Sequence, residues 1–267
     1  MLLNNFIIFD NACHQLVSES ILLYNDKMPN VIITGADRGL GFALCKEYLL
    51  RGWTVFGGKF LQDFNLLEQE REKNSSLQIV PLDVGNIASI KKARDLIAEQ
   101  TDSIDMIISN AALMEDVKCS IDEPPMDLQA PWDSFCVNAL GPVHMVEYFL
   151  PMMDKSSLKR LCFISSEVSC ISLMKHRIGN SYPYCMSKSS MNMGVRLIHN
   201  QLYPQGYTFR LYHPGWMKRQ RPDGTLSEQA QLDPADTAAH AVKFFEKPLG
   251  DEHRLVMYDY LDQEWPF

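Results

Sequence analysis

No apolar run in this 267-residue chain approaches the roughly 18–20 residues that cross a bilayer; the longest, such as Phe6-Ile7-Ile8-Phe9, are far shorter. No membrane partner is therefore expected. The chain also lacks a stripe of Lys and Arg, and its formal net charge of −8 opposes a phosphate backbone, so nucleic acid is not an expected partner either. The seven cysteines (13, 45, 119, 136, 162, 170 and 185) are odd in number and scattered, with no C-x-x-C pair and no Cys/His cluster at zinc spacing. That pattern predicts reduced thiols, a cytoplasmic location and no metal site. Residues 1–28 carry neither a basic n-region nor a small-residue cleavage site. They read either as an N-terminal extension or as the product of a start upstream of Met28, with the main domain at 29–267. Neither an internal repeat nor a low-complexity linker interrupts it.

What is present is ordinary globular composition, 46% hydrophobic and 22% charged, at a length that buries roughly 70–75% of the unfolded surface without staples. After Pro29, strand-like and helix-like stretches alternate, the mark of repeated βαβ units and a parallel sheet. Strands are predicted at Val31–Ile33, Thr54–Phe56, Leu77–Leu82, Ile104–Ser109, Arg160–Ser165, Thr208–His213 and Arg254–Met257. Helices are predicted from the glycine turn to Gly52, from an Asp63 cap to about Lys73, from Asn86 to Gln100, then over Pro131–Met153, Tyr182–Leu202 and from Asp233-Pro234 to Glu246. The fold class expected is α/β: a single doubly wound Rossmann domain with a parallel sheet of about seven strands flanked by helices.

Between the first strand and first helix lies Thr34-Gly35-Ala36-Asp37-Arg38-Gly39-Leu40-Gly41. Glycines there let a backbone approach a pyrophosphate at a helix N-terminus, although a βα turn packed tightly for its own sake uses the same residues. A second signal is Tyr184-Cys185-Met186-Ser187-Lys188. On a helix, i and i+4 share a face, so an ammonium lies beside a phenol and favours its phenolate, which suits general acid/base work. Such a spacing is common by chance; its place in the chain carries the argument.

Taken together and in order, these motifs resemble the short-chain dehydrogenase/reductase family from about Asn30 to the C-terminus. In that resemblance Thr34, Gly35, Gly39 and Gly41 stand for the cofactor turn, Asp83 and Val84 for the adenine contact, and Asn110-Ala111 for part of the family's N-N-A-G. Asn138, Ser166, Tyr184 and Lys188 stand for the catalytic tetrad, and Pro214-Gly215, followed by Trp216, for the turn after the sixth strand. The run Ile164 to Ile171 and the insert reaching Ser181 are similar to the branch of C-factor-like and sniffer-like carbonyl reductases. The resemblance implies hydride transfer between nicotinamide and a carbonyl or secondary alcohol, with Tyr184 as the acid/base. Lys188 would support Tyr184 and the ribose, Ser166 the carbonyl oxygen, and Asn138 a relay water. It also implies a small-molecule substrate and a homodimer or homotetramer paired through helices 131–153 and 182–202.

An acidic residue about 20 positions after the glycines usually holds the ribose 2′-hydroxyl of NAD. None stands at the second strand's end, where residues 57–60 read Gly-Gly-Lys-Phe. Arg38 and Lys59 are candidates for a 2′-phosphate, so NADP(H) is preferred with NAD(H) as the alternative; the competing reading makes both residues solvated charges. Leu40 completes the cofactor-binding set.

Two departures stand out. Ala112 replaces a glycine of the family motif, and Met217-Lys218-Arg219 follows Trp216 where a cofactor-contacting Thr is usual. Arg219 reads as a phosphate ligand, a substrate ligand or a solvated charge. Segment 216–232 reads as a substrate loop. Met174, Met186, Met191, Met193 and Met217 read either as pocket lining or as core filler. Against the reductase stands a second function, a cofactor-binding protein of little turnover acting in signalling or regulation.

Overall fold

A computed structural model describes residues 28–114, 129–174 and 182–267. The predicted extension, apart from Met28, lies outside them, as does most of the insert before Tyr182. The elements are β1 (Asn30–Ile33), α1 (Gly39–Leu50), β2 (Thr54–Lys59), α2 (Leu66–Arg71), β3 (Leu77–Pro81), α3 (Ile87–Ala98), β4 (Met106–Ser109), α4 (Gln129–Phe135), a π turn (Cys136–Leu140), α5 (Gly141–Met153), β5 (Arg160–Ile164), α6 (Tyr182–Leu202), β6 (Thr208–His213), α7 (Pro234–Glu246), β7 (Met257–Asp259) and β8 (Glu264–Trp265).

One sheet joins all the strands in the order β3-β2-β1-β4-β5-β6-β7-β8. Every pairing is parallel except β7 with β8, which is antiparallel. The strands are short, β-branched and buried because both faces are covered. On one face α1, α2 and α7 pack through Leu40, Leu44, Tyr48, Leu67 and Phe245. On the other, α3, α5 and α6 pack through Ile90, Met145, Phe149 and Met191. The order in which strands are added to the sheet reverses between β1 and β4, so a crevice opens beyond their C-terminal ends. No helix among the described residues is long and apolar enough to cross a membrane.

Three elements differ from the sequence reading. The expected seven strands are eight, because the tail folds back: Asp259 accepts from the Leu261 and Gln263 amides and from the Trp265 indole, and this turn lays β8 against β7. The last parallel strand sits at 257–259 rather than 254–257, in register with Leu211–His213. Helix α2 starts after Asn65, not Asp63, since Phe64 turns inward and is buried first.

A fourth difference, beyond these three, bears on the site. The expected continuous helix over 131–153 is broken by the π turn, in which the Gly141 amide donates to the Cys136 carbonyl, five residues back. Pro142 has no N–H, so the Asn138 carbonyl cannot receive an α-helical bond from four residues on. Gly141 packs on the end of β3, where a Cβ would stand 3.0 Å from the Val84 carbonyl oxygen.

Candidate active site

The glycine turn is clamped from both sides. Thr34 Oγ1 accepts from the Asn110 and Ala111 amides at 3.0 Å each, while Asn110 Nδ2 donates to the Thr34 and Gly35 carbonyls at 2.9 and 3.0 Å. Both side chains thus hold β1 and β4 in register at the crevice. Gly35 has φ +61°, and a Cβ there would lie 2.8 Å from Ala111 Cα; a Cβ on Gly41 would lie 2.1 Å from the Gly35 oxygen. These glycines are required by close approach. Gly39 differs: its φ is +55°, its surroundings are open, and its amide opens α1. That amide donates to the side-chain oxygen of Gln220 at 2.7 Å, so it faces a space in which an oxygen acceptor fits. A helix-opening amide beside a cradle that tolerates no Cβ suits a pyrophosphate. Leu40 is buried beneath it.

Beyond β2 the charges are arranged differently from the expectation. Lys59, expected to face a 2′-phosphate, pairs instead with Glu68 at 2.6 Å, because α2 returns along the same edge. Arg38 lies with its guanidinium 5.1 Å above the Phe64 ring. Asp37, overlooked while the motif was read for its glycines, is buried and accepts from the Phe60 and Leu61 amides at 2.9 Å each. One strand further out, after β3, Asp83 accepts from the Gly85 amide and donates its own amide to Ser89, which sets the turn carrying Val84. Ala112 is exposed and lies outside the left-handed backbone region, so its Cβ is accommodated.

The candidate catalytic groups come from β5, α6 and the π turn. Ser166 follows β5 and caps a short 3-10 turn, its Oγ accepting from the Val168 amide at 3.4 Å. Lys188 is buried, its ammonium donating to the Ile164 carbonyl at 2.8 Å and lying 6.0 Å from the Tyr184 ring centre. Burial pushes its pKa down to about 8. Tyr184 and Lys188 share one face of α6, and Asn192 extends it by one turn. Asn192 bridges Ser165 and Ser169 at 2.8 Å each, and Ser169 donates to the Ser166 carbonyl at 2.6 Å. That network fixes the backbone around Ser166.

Asn138 is fully buried and saturated. It accepts from the Leu113 amide at 2.7 Å and donates to the Leu113 carbonyl at 2.8 Å and Ser187 Oγ at 2.9 Å. Ser187 in turn donates to the Tyr184 carbonyl at 2.8 Å. The side chain of Asn138 therefore joins the segment after β4 to the start of α6 and has no N–H left for a water. Asn192 and Ser187 were not singled out from the sequence, although i+3 and i+4 spacing from Tyr184 and Lys188 marks their face.

After β6, Gly215 has φ +75°, and a Cβ there would meet Leu232 and Tyr260 at 2.4 and 2.6 Å. Pro214 is buried and Trp216 exposed. Segment 216–232 is held by bridges between Met217 and Leu232 and between Gln220 and Leu226. Arg219 exchanges backbone and side-chain bonds with Ser227 and leaves its side chain exposed. Of the five methionines, Met191 is core, Met217 packs at the core's edge, and Met174, Met186 and Met193 are exposed; they do not form one pocket.

Comparison with known proteins adds the following. The sequence pattern of the family described as short chain dehydrogenase matches residues 29–229. The chain is 30% identical to the C-signal of Myxococcus xanthus over 169 residues, 62% of this chain and 95% of that protein. Its fold is similar to that of a carbonyl reductase from Pseudomonas aeruginosa, with 26% identity and a TM-score of 0.76 over 90% of this chain and all of that one. An NADPH-bound carbonyl reductase from chicken fatty liver shares the fold at 23% identity and a TM-score of 0.77, with the same coverage.

Proposed function

The chain belongs to the short chain dehydrogenase family, oxidoreductases of CH–OH and C=O groups, and on that premise we propose that it is an NADP(H)-dependent carbonyl reductase or alcohol dehydrogenase with Tyr184 as its general acid/base. One observation carries the reading. The buried Lys188 ammonium reaches the end of β5 two residues before Ser166 while lying beside the Tyr184 ring. An ammonium beside a phenol, next to the strand end that carries Ser166, supports the reading.

When bound, the nicotinamide supplies or accepts the hydride. The protein's own residues do the rest. Ser166 Oγ is a hydrogen-bond donor to the substrate oxygen where charge develops. Tyr184 gives that oxygen its proton in reduction and takes it back in oxidation. Lys188 stabilises the phenolate that remains, and its place in dry protein strengthens that attraction. A relay water falls to the main-chain carbonyl of Asn138, which Pro142 frees from α-helical pairing, rather than to the saturated side chain. Thr34, Gly35, Gly39, Gly41, Asn110 and Ala111 would hold the cofactor phosphates and adjoining ribose, with Asp83 and Val84 beside the adenine. Pro214, Gly215 and Trp216 would flank the nicotinamide.

Arg38 supports NADP(H), since its guanidinium lies over Phe64 just past β2 and has no acidic partner among the described residues; the NADPH held by the chicken reductase accords with it. The exposed Met186, Met193 and Leu197 on α6 support a homo-oligomer paired through that helix, and the free described thiols support a cytoplasmic setting. A second reading, cofactor binding with little turnover, is favoured by Gln220 standing on the Gly39 amide.

Fluorescence titration with NADPH and NADH, followed by absorbance assays on aldehydes, ketones and quinones, separates the two. The reductase reading expects tighter NADPH binding and turnover on part of the panel, with Tyr184→Phe binding cofactor but losing turnover at least about a hundredfold. Tight binding without turnover on the whole panel favours the second reading, and failure to bind either cofactor overturns both.

A further inference from the structure

The end of β2 has no acid of its own, yet it holds a carboxylate. Asp37 leaves the glycine turn and places one oxygen on two consecutive amides, Phe60 and Leu61, immediately beyond Lys59, the last residue of β2. The Ala36 amide adds a bond of 2.9 Å to the Gly58 carbonyl. Turn and strand exit are thus one unit. This is the place where the binding fold keeps an acidic residue against the ribose 2′-hydroxyl of NAD.

Neither nearby cation pairs directly with that charge: Lys59 pairs with Glu68 and reaches Asp37 only through space, and Arg38 lies over Phe64 with no ion pair to Asp37. Two amide donors on one oxygen favour the ionised carboxylate, while burial works against it and leaves the pKa raised. Arg38 and Asp37 are neighbours of opposite sign at the exit of β2. A 2′-phosphate is attracted by one and repelled by the other; a 2′-hydroxyl is indifferent to the first and can donate to the second.

We propose that Asp37 is a specificity-determining residue, a carboxylate supplied from the glycine turn in place of the missing β2 acid, which opposes the 2′-phosphate and offsets the preference that Arg38 creates. The inference rests on the reading of the crevice as a nicotinamide-dinucleotide site. It makes the chain a dual-cofactor protein with a narrow NADPH margin rather than a strict NADPH one.

The test is cofactor binding, free of any need for a substrate. Dissociation constants for NADPH and NADH are measured by calorimetry on wild type, Asp37→Asn and Arg38→Ala. Asn keeps an oxygen for the two amides and removes only the charge. The expected result is a ratio of NADH to NADPH dissociation constants that rises about five- to tenfold in Asp37→Asn, mainly through tighter NADPH, the effect of one unit charge in partly solvated protein. In Arg38→Ala the ratio falls. Asp37→Ser, with a smaller uncharged side chain, must shift the ratio in the same direction as Asn and serves if the amide disturbs the loop. A ratio unchanged in both Asp37 variants, or equal weakening of the two cofactors, assigns Asp37 to loop support alone and overturns the proposal. Wild type that binds neither cofactor overturns the underlying reading instead.

Discussion

At the scale of single residues, the site is built on a buried charge that folding does not favour. The Lys188 ammonium is held near 8 by burial, against an ordinary value of 10.5. Between those values the folded protein binds fewer protons than the unfolded chain, so this group's contribution to stability rises with pH and is lowest below about pH 8. The net cost at neutral pH is on the order of 3 kcal/mol, with the bond to Ile164 already counted in it. Lys188→Met should accordingly keep or raise Tm by a few degrees while turnover falls at least about a thousandfold. Thermal unfolding and steady-state rates on the same preparation check this. A Tm lower by more than about 5 °C would mean that the ammonium stabilises the fold. Tyr184, Lys188 and the glycines were legible in the sequence because their spacing is local and their chemistry distinctive. Asp37, Ser187 and Asn192 were not, since each acts through a partner brought close by folding: Phe60, Asn138 and Ser165. The Lys59–Glu68 pair is hidden for the same reason, since it depends on a helix that begins after Asn65 rather than at Asp63.

Among the elements, the π turn and the substrate loop do most to shape the crevice. A slip of one residue in hydrogen bonding leaves the apolar period of 131–153 nearly intact, so periodicity reads one helix; Pro142, lacking an N–H, was the signal available. The slip gives Asn138 both of its uses, a side chain tying the β4 exit to α6 and a carbonyl released from helical pairing. The loop over 216–232 is read from its polar, Pro- and Gly-containing composition. Its contact with α1 was not visible, because Gln220 and Gly39 are 181 positions apart. Gln220 competes directly with any phosphate for the Gly39 amide, and one hydrogen bond of this kind is worth about 1 kcal/mol. Gln220→Ala is expected to tighten cofactor binding about three- to tenfold, read by fluorescence titration. Unchanged or weaker binding would show that Gln220 supports the bound state instead.

For the whole molecule, the alternation of strand and helix was enough to predict a doubly wound parallel sheet, because a parallel crossover demands a helix and right-handed crossovers leave few orders open. The eighth strand escaped, being two residues held by an aspartate turn rather than by a hydrophobic pattern of its own. The sheet order places the Thr34–Asn110 clamp, the Asp37 corner and the Tyr184–Lys188 face around one crevice, and the central claim is that this crevice moves a hydride and a proton together. Transfer of label from NADPH carrying two deuteriums at nicotinamide C4, followed by mass spectrometry of the alcohol formed from a carbonyl in the panel, tests that claim most directly. The account predicts deuterium on the former carbonyl carbon with wild type and labelled alcohol formed at least about a hundredfold more slowly with Tyr184→Phe. An unlabelled alcohol, product formation undiminished in Tyr184→Phe, or no product from any carbonyl would contradict it.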